Sequence, residues 1–309
     1  MITSEYYFPS AQGQALIHVN QWTPQSVPVH GVVQIAHGVA EYGMRYQPFA
    51  EYLCRYGFVV TGHDHLGHGQ SRIPGAPPVY FGERDGWNYA VEDMHTLRLQ
   101  LKKVWPQVPH FLFGHSMGSF LTRTYLIRYP GNVKGAILCG TGHPSVWTIA
   151  GGKLLTAREV RRLGPQGFSE KANRLAFGAY NKPFAPNRTD YDWLSADEEN
   201  VDAYIADPLC GAPATIGLMR DLMDGLDFFT DQHAIDRMDR KLAAFFISGD
   251  KDPVGEMGKG VERSAAAFRK AGLTDVTVKL YHDLRHEILN EKTRRFVYQD
   301  VLDWLEGHL

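Results

Sequence analysis

The chain has 309 residues, 44% of them hydrophobic, with 32 basic and 34 acidic side chains and a net charge of −2. That length buries a sizeable core, as one large domain with an insertion or as two small ones. The balanced charge excludes an electrostatic nucleic-acid footprint and a polybasic membrane anchor, and the odd, widely spaced trio Cys54, Cys139 and Cys210 points to free thiols of a reducing compartment rather than a disulfide framework.

Met1 to Phe8 has no basic start followed by an apolar run, so no signal peptide is read there. No stretch approaches the ~18 apolar residues of a membrane span, and a cytoplasmic location is the expectation. Residues 4–24 read as two strands around a turn at Gln12-Gly13-Gln14. The second, Ala15 to Trp22, alternates in part and is expected at a sheet edge. Gly31 to Ala36 is a short apolar run of the kind found in buried parallel strands, and it ends at His37-Gly38-Val39-Ala40-Glu41. A helix over roughly 45–56 stops at Gly57, and the strand Phe58 to Thr61 runs into Gly62-His63-Asp64-His65-Leu66-Gly67-His68-Gly69-Gln70-Ser71. Val91, Met94, Leu97, Leu101, Val104 and Trp105 recur at helical spacing and are expected to cover one face of a sheet.

The apolar run Phe111-Leu112-Phe113 then ends in Gly114-His115-Ser116-Met117-Gly118, and a helical pattern starts at once. Without Cβ atoms, Gly114 and Gly118 let a strand turn sharply into a helix around Ser116. Such a turn lifts the Ser116 hydroxyl to the sheet edge, with the helix N-terminus behind it pointing free N–H groups at any charge that forms there. This is the nucleophile-elbow pattern of α/β-hydrolases, in its expected context of strand, turn and helix.

The helix runs to about Tyr129 and is stopped by Pro130-Gly131; Gly135 to Cys139 is the next strand. At Gly140-Thr141-Gly142-His143-Pro144 the alternation of strand and helix stops. Residues 143–240 are helical or irregular and rich in large apolar side chains, Trp147, Phe177, Trp193, Tyr204 and Phe229 among them. The sheet resumes at Ala243 to Gly249, followed by a helix over roughly 256–271, a strand Val276 to Tyr281 and a last helix from about 292. The expected fold is therefore α/β: a mostly parallel sheet with helices on both faces, formed by 1–142 and 241–309, interrupted by an inserted helical cap at 143–240.

A serine hydroxyl needs a base to take its proton and a third group to orient that base. The chain order in this fold is nucleophile, acid, histidine. After Ser116, the loop Gly249-Asp250-Lys251-Asp252-Pro253 offers the acid, and Tyr281-His282-Asp283-Leu284-Arg285-His286 offers the histidine. His286, deeper in its loop, is preferred to His282, which closes its strand; Asp252, before Pro253, is preferred to Asp250 at the strand exit. Asp283 shares a short loop with His286 and reads as a turn residue. The oxyanion donors are expected to be the backbone N–H groups of Met117 and of Val39.

A rival site is His63, His65 and His68, which in part resembles a zinc-hydrolase loop, with Gly67 where that motif has its aspartate. An amidase or proline-type aminopeptidase would use the same triad and need a cap carboxylate for the substrate's free amine; Glu198, Glu199 and Asp202 are available but read as a solvated helix face. An acyltransferase would differ only in its acceptor.

His37-Gly38…Glu41, Gly62 to Ser71, Gly114 to Gly118, Gly249…Asp252 and His286 together resemble the monoacylglycerol lipase and lysophospholipase family, similar to the serine aminopeptidase branch of the α/β-hydrolases. The likeness covers about two thirds of the chain, and Asp64-His65-Leu66-Gly67-His68-Gly69-Gln70-Ser71 is its most specific part. It implies Asp252 as the triad acid, a structural role for the Asp-His loop, no metal or organic cofactor, and a small ester or lipid substrate. Val39 departs from the family's alanine, which is expected to narrow the pocket beside the oxyanion. An apolar cap helix near 216–229 is a candidate for membrane contact, and a pocket lid reads the same way.

Overall fold

A computed structural model describes residues 1–309. Eight strands, β1 (Ile2–Pro9), β2 (Leu16–Thr23), β3 (Gly31–Ala36), β4 (Phe58–His63), β5 (His110–His115), β6 (Gly135–Cys139), β7 (Ala243–Gly249) and β8 (Val276–Tyr281), form one sheet in the order β1-β2-β4-β3-β5-β6-β7-β8. β1 and β2 pair antiparallel, as do β2 and β4, and every other pair is parallel. The ten helices are α1 (Gln47–Cys54), α2 (Gly86–Val104), α3 (Met117–Arg128), α4 (Val146–Leu163), α5 (Glu170–Phe177), α6 (Glu198–Ala206), α7 (Ile216–Thr230), α8 (Gln232–Ile235), α9 (Lys259–Lys270) and α10 (Arg294–Glu306).

Side chains alternate across each central strand, and the two sets build two cores. Leu112, Leu138 and Phe246 pack with α2, α3, α7 and α9 on one face. Phe111, Phe113 and Ile247 pack with Phe49 and Leu53 of α1 and Val297 and Val301 of α10 on the other. α3 is buried on almost every side, between the sheet and α2 and α7, and accordingly shows no polar face.

Two expectations change. β2 is not an edge strand: β1 lies outside it and four consecutive residues, Ile17 to Asn20, are buried. The polar members of its alternation, His18 and Asn20, face protein and not water. The apolar helix near 216–229 is α7, and its Ile216, Leu218, Met219, Leu226 and Phe229 are buried against α2, α3 and α4, so protein covers its apolar face.

The chain leaves β3 for α1 on one face, and leaves β5 for α3 on the other. Neighbouring parallel strands whose connections diverge open a crevice at their C-terminal ends. The loop after β3 and the turn after β5 line this crevice.

Candidate active site

Ser116 occupies the turn between β5 and α3 with φ 52° and ψ −122°. That backbone is disfavoured for an L-residue and is held because the surroundings over-determine it. Gly118 is one such constraint: a Cβ there would clash with the carbonyl oxygens of Ala36 and His37, so the first turn of α3 lies directly on the end of β3. The loop after β3 is correspondingly close, since a Cβ at Gly38 would lie 3.2 Å from the Ser116 Cβ.

His286 Nδ1 is 2.9 Å from Asp252 Oδ2, and both residues are buried. Asp252 Oδ2 also accepts the Ser248 hydroxyl at 3.0 Å, and its Oδ1 accepts the Val254 N–H at 2.9 Å. An ionised carboxylate only accepts, so the imidazole proton is assigned to Nδ1 and Nε2 keeps its lone pair. Burial alone would raise the Asp252 pKa, but His286 and these donors hold it below the usual carboxylate value. Burial pushes the His286 pKa down, and Asp252, with Glu287 and Glu41, more than offsets it, leaving it above the ordinary 6.5.

Ser116 and His286 line one cavity of about 340 Å³ with Val39 and with residues of the segment between β6 and β7 that include Phe177, Trp193 and Tyr204. The Ser116 hydroxyl makes no hydrogen bond to the imidazole, a contact that in serine hydrolases commonly tightens only around the reacting substrate. The Trp193 ring lies 5.1 Å from the His286 ring, centroid to centroid, and the buried His115 ring 4.6 Å away on another side. Met117 opens α3, so its N–H has no intrahelical acceptor. The Gly38 N–H is taken by the Glu41 carboxylate at 2.6 Å, while that of Val39 bonds to no protein group.

The competing residues go elsewhere. His282 Nδ1 pairs with Asp250 Oδ2 at 2.9 Å on the surface, where His282 is 82% exposed. Asp283 adopts φ 58°, as a turn residue does. Glu198, Glu199 and Asp202 are exposed outside the cavity, and Asp202 pairs with Arg188 at 2.6 Å. His63 and His65 meet edge to face at 4.7 Å, with His68 6.5 Å from His65, and their nitrogens do not converge on a point. Beside them, Asp64 accepts the N–H groups of Gly43 and Gln70, both at 2.8 Å, and bonds His18 at 3.0 Å, so this loop braces the strand ends. Sequence reasoning did not find Trp193 tilted against the imidazole, nor the buried ion pairs joining Glu41, Arg45 and Glu287. The one signal was a Glu and an Arg at i and i+4 directly after the oxyanion loop.

A family model described as "Serine aminopeptidase, S33" matches residues 27–293. The monoacylglycerol lipase of Mycolicibacterium smegmatis is 32% identical over 310 residues, covering 99% of this chain and 98% of its own. The Homo sapiens monoglyceride lipase is 26% identical over 96% of this chain and 88% of its own. Among solved structures, a highly thermostable carboxyl esterase from Bacillus coagulans in complex with glycerol matches with a TM-score of 0.92 at 27% identity, covering 100% of this chain and 99% of that one.

Proposed function

The chain belongs to the serine aminopeptidase, S33 family, and on that premise we propose that it cleaves monoacylglycerols or lysophospholipids through an acyl intermediate on Ser116. It is a serine hydrolase of carboxylic esters with the α/β-hydrolase fold. In the proposed reaction His286 Nε2 takes the Ser116 proton as the hydroxyl attacks the ester carbonyl. Asp252 holds the imidazole and stabilises the imidazolium that forms. The N–H groups of Val39 and Met117 receive the charge that develops on the carbonyl oxygen. His286 then protonates the departing alcohol, and water repeats the sequence on the acyl-serine. Every step uses groups of the chain itself.

The observation that carries this reading is the buried Asp252–His286 pair, 2.9 Å apart, in one cavity with the strained Ser116. A cavity of about 340 Å³ suits one acyl chain and a small alcohol. Residues 143–240 are proposed to act as the cap that closes it. Lipid contact is proposed for α4, whose Val146, Trp147 and Leu154 are 75%, 86% and 77% exposed. No helix is long and apolar enough to cross a membrane, and the three unpaired cysteines support a cytoplasmic location.

Two measurements test the reading. A fluorophosphonate probe is expected to label the native chain and not the Ser116→Ala variant. In a series of glycerol and nitrophenyl esters, decanoates are expected to turn over faster than acetates. Labelling that survives Ser116→Ala overturns the nucleophile, and a clear preference for acetate overturns the lipid substrate.

A further inference from the structure

We propose that Arg45 is a positioning residue for this reaction, holding the oxyanion loop, the histidine loop and cap helix α6 in one arrangement through Glu41 and Glu287. The inference rests on the proposed function and extends it to a residue that does not line the cavity.

Arg45 Nη1 donates to Glu41 Oε2 at 2.7 Å and to Glu287 Oε1 at 2.8 Å, and Nη2 donates to Glu287 Oε2 at 2.8 Å. A planar guanidinium makes this fork, and a lysine cannot. On one side, Glu41 Oε1 accepts the Gly38 N–H at 2.6 Å and the Tyr46 hydroxyl at 3.0 Å. With Gly38 pinned, the next N–H in the loop, that of Val39, stays free beside Ser116. On the other side, Glu287 directly follows His286, so fixing its carboxylate and backbone fixes the base. The Glu287 N–H donates to Leu194 O at 2.7 Å, and Asn200 of α6 donates to Glu287 Oε2 at 2.9 Å. The Tyr204 ring, also on α6, lies 5.0 Å from the guanidinium, and its hydroxyl donates to Ala40 O at 3.1 Å. Oxyanion loop, base and cap thus meet at a single cation whose side chain is 11% exposed.

Two buried carboxylates share this cation. Burial raises the Glu41 pKa and Arg45 opposes it; burial would also raise that of Glu287, but Arg45 holds it down. Glu41 further faces Tyr46 from its own helical turn, His286 from the histidine loop, Tyr204 and Cys210 from the cap and Cys139 from β6. The same surroundings reach Glu287, with His115 added. None of these supplies a second permanent positive charge. Without Arg45 the pair cannot stay doubly ionised, and the loops separate as pH rises and the second proton leaves.

The test is steady-state kinetics and fluorophosphonate labelling of Arg45→Met and Arg45→Lys across pH. Loss of registry on the scale of 1 Å predicts about 10²-fold lower kcat for Arg45→Met, with KM for a short soluble ester little changed. Its kcat should also gain a decline toward alkaline pH that the native chain lacks. Arg45→Lys keeps the charge but not the fork, so its kcat should fall between the two, without the alkaline decline. If Arg45→Met does not fold, the lysine variant carries the test. Native kcat and a native pH profile in a folded Arg45→Met, or an Arg45→Lys equal to the native chain, would overturn the proposal. Failure of the native chain to label at Ser116 is a different result: it removes the reaction itself, and the positioning role with it.

Discussion

Asp250 and Asp252 lie two residues apart on one loop, and water separates their roles. Asp250 pairs with a histidine that is 82% exposed, where solvent screening leaves the ion pair little weight. Asp252 is fully buried and takes three donors, the His286 ring, the Ser248 hydroxyl and the Val254 N–H. Replacing its carboxylate leaves the imidazole free to take the wrong tautomer. Asp252→Asn is therefore expected to keep the fold and lower kcat by about 10⁴-fold, while Asp250→Asn changes it only slightly. The pH profile gives a second sign. The proposed base works neutral, so kcat/KM of the native chain should fall as pH drops through a His286 pKa above 6.5. In Asp252→Asn the carboxylate that raises that pKa is gone, and the acidic limb should move to lower pH. Kinetics of both variants on one ester check this, and the reverse ranking would reassign the acid.

At the scale of elements, the sheet was legible and the segment between β6 and β7 was not. β3, β6 and β7 end where the sequence reading placed them, because a strand buried on both faces is a continuous apolar run stopped by turn residues, and the edge strand β8 also ends there, its apolar Val276, Val278 and Leu280 alternating with exposed Thr277 and Lys279. β2 misled for a local reason: His18 is a polar residue at an alternating position, yet it is buried and bonded to Asp64. Within the insertion, apolar content alone does not distinguish a helix that packs on protein from one that faces lipid. α7 is the first kind, with Gly225 set against the Trp87 ring of α2. α4 is the second kind in the proposed reading, because Trp147 and Leu154, seven residues apart, lie on one helical face and Arg158 and Arg161 follow toward its end. Moving two large apolar side chains out of a lipid interface forfeits about 3 kcal/mol, or roughly 10²-fold in binding. Trp147→Ser with Leu154→Ser should weaken co-sedimentation with phosphatidylglycerol vesicles by that factor and leave hydrolysis of a soluble short ester unchanged. Unaltered vesicle binding would rule out α4 as the contact.

For the whole molecule, the histidines set the acid limit of stability. His37, His63, His65 and His68 are buried together at the ends of β3 and β4, and burial holds each neutral below the ordinary 6.5, His63 and His68 down to about 4. Burial does the same to His110 and His143, to about 4, and to His115, to about 3, and it lowers the half-exposed His95. Below pH 6.5 the unfolded chain takes up protons on these rings that the folded chain refuses. Stability therefore falls with falling pH, by about 1.4 kcal/mol per pH unit for each buried ring and by less for His95, which solvent screens. Three carboxyls act with the opposite sign: burial raises Asp93 and Asp221 to about 6 and also raises Glu41, so the fold takes up those protons before the unfolded chain does. His18 and His286, raised above 6.5, contribute stability that is fully present below that value and is lost only as pH rises through their folded values. The imidazoles outnumber the opposing carboxyls, leaving a net uptake on unfolding on the order of three to five protons between pH 6 and 4.5. Over that interval the uptake amounts to about 6–10 kcal/mol, comparable with the whole stability of a typical domain, roughly 5–15 kcal/mol. The thermal midpoint, followed by circular dichroism, should fall steeply as pH drops from 6.5 to 4.5. A midpoint that holds steady across that interval would mean that these rings are protonated inside the fold.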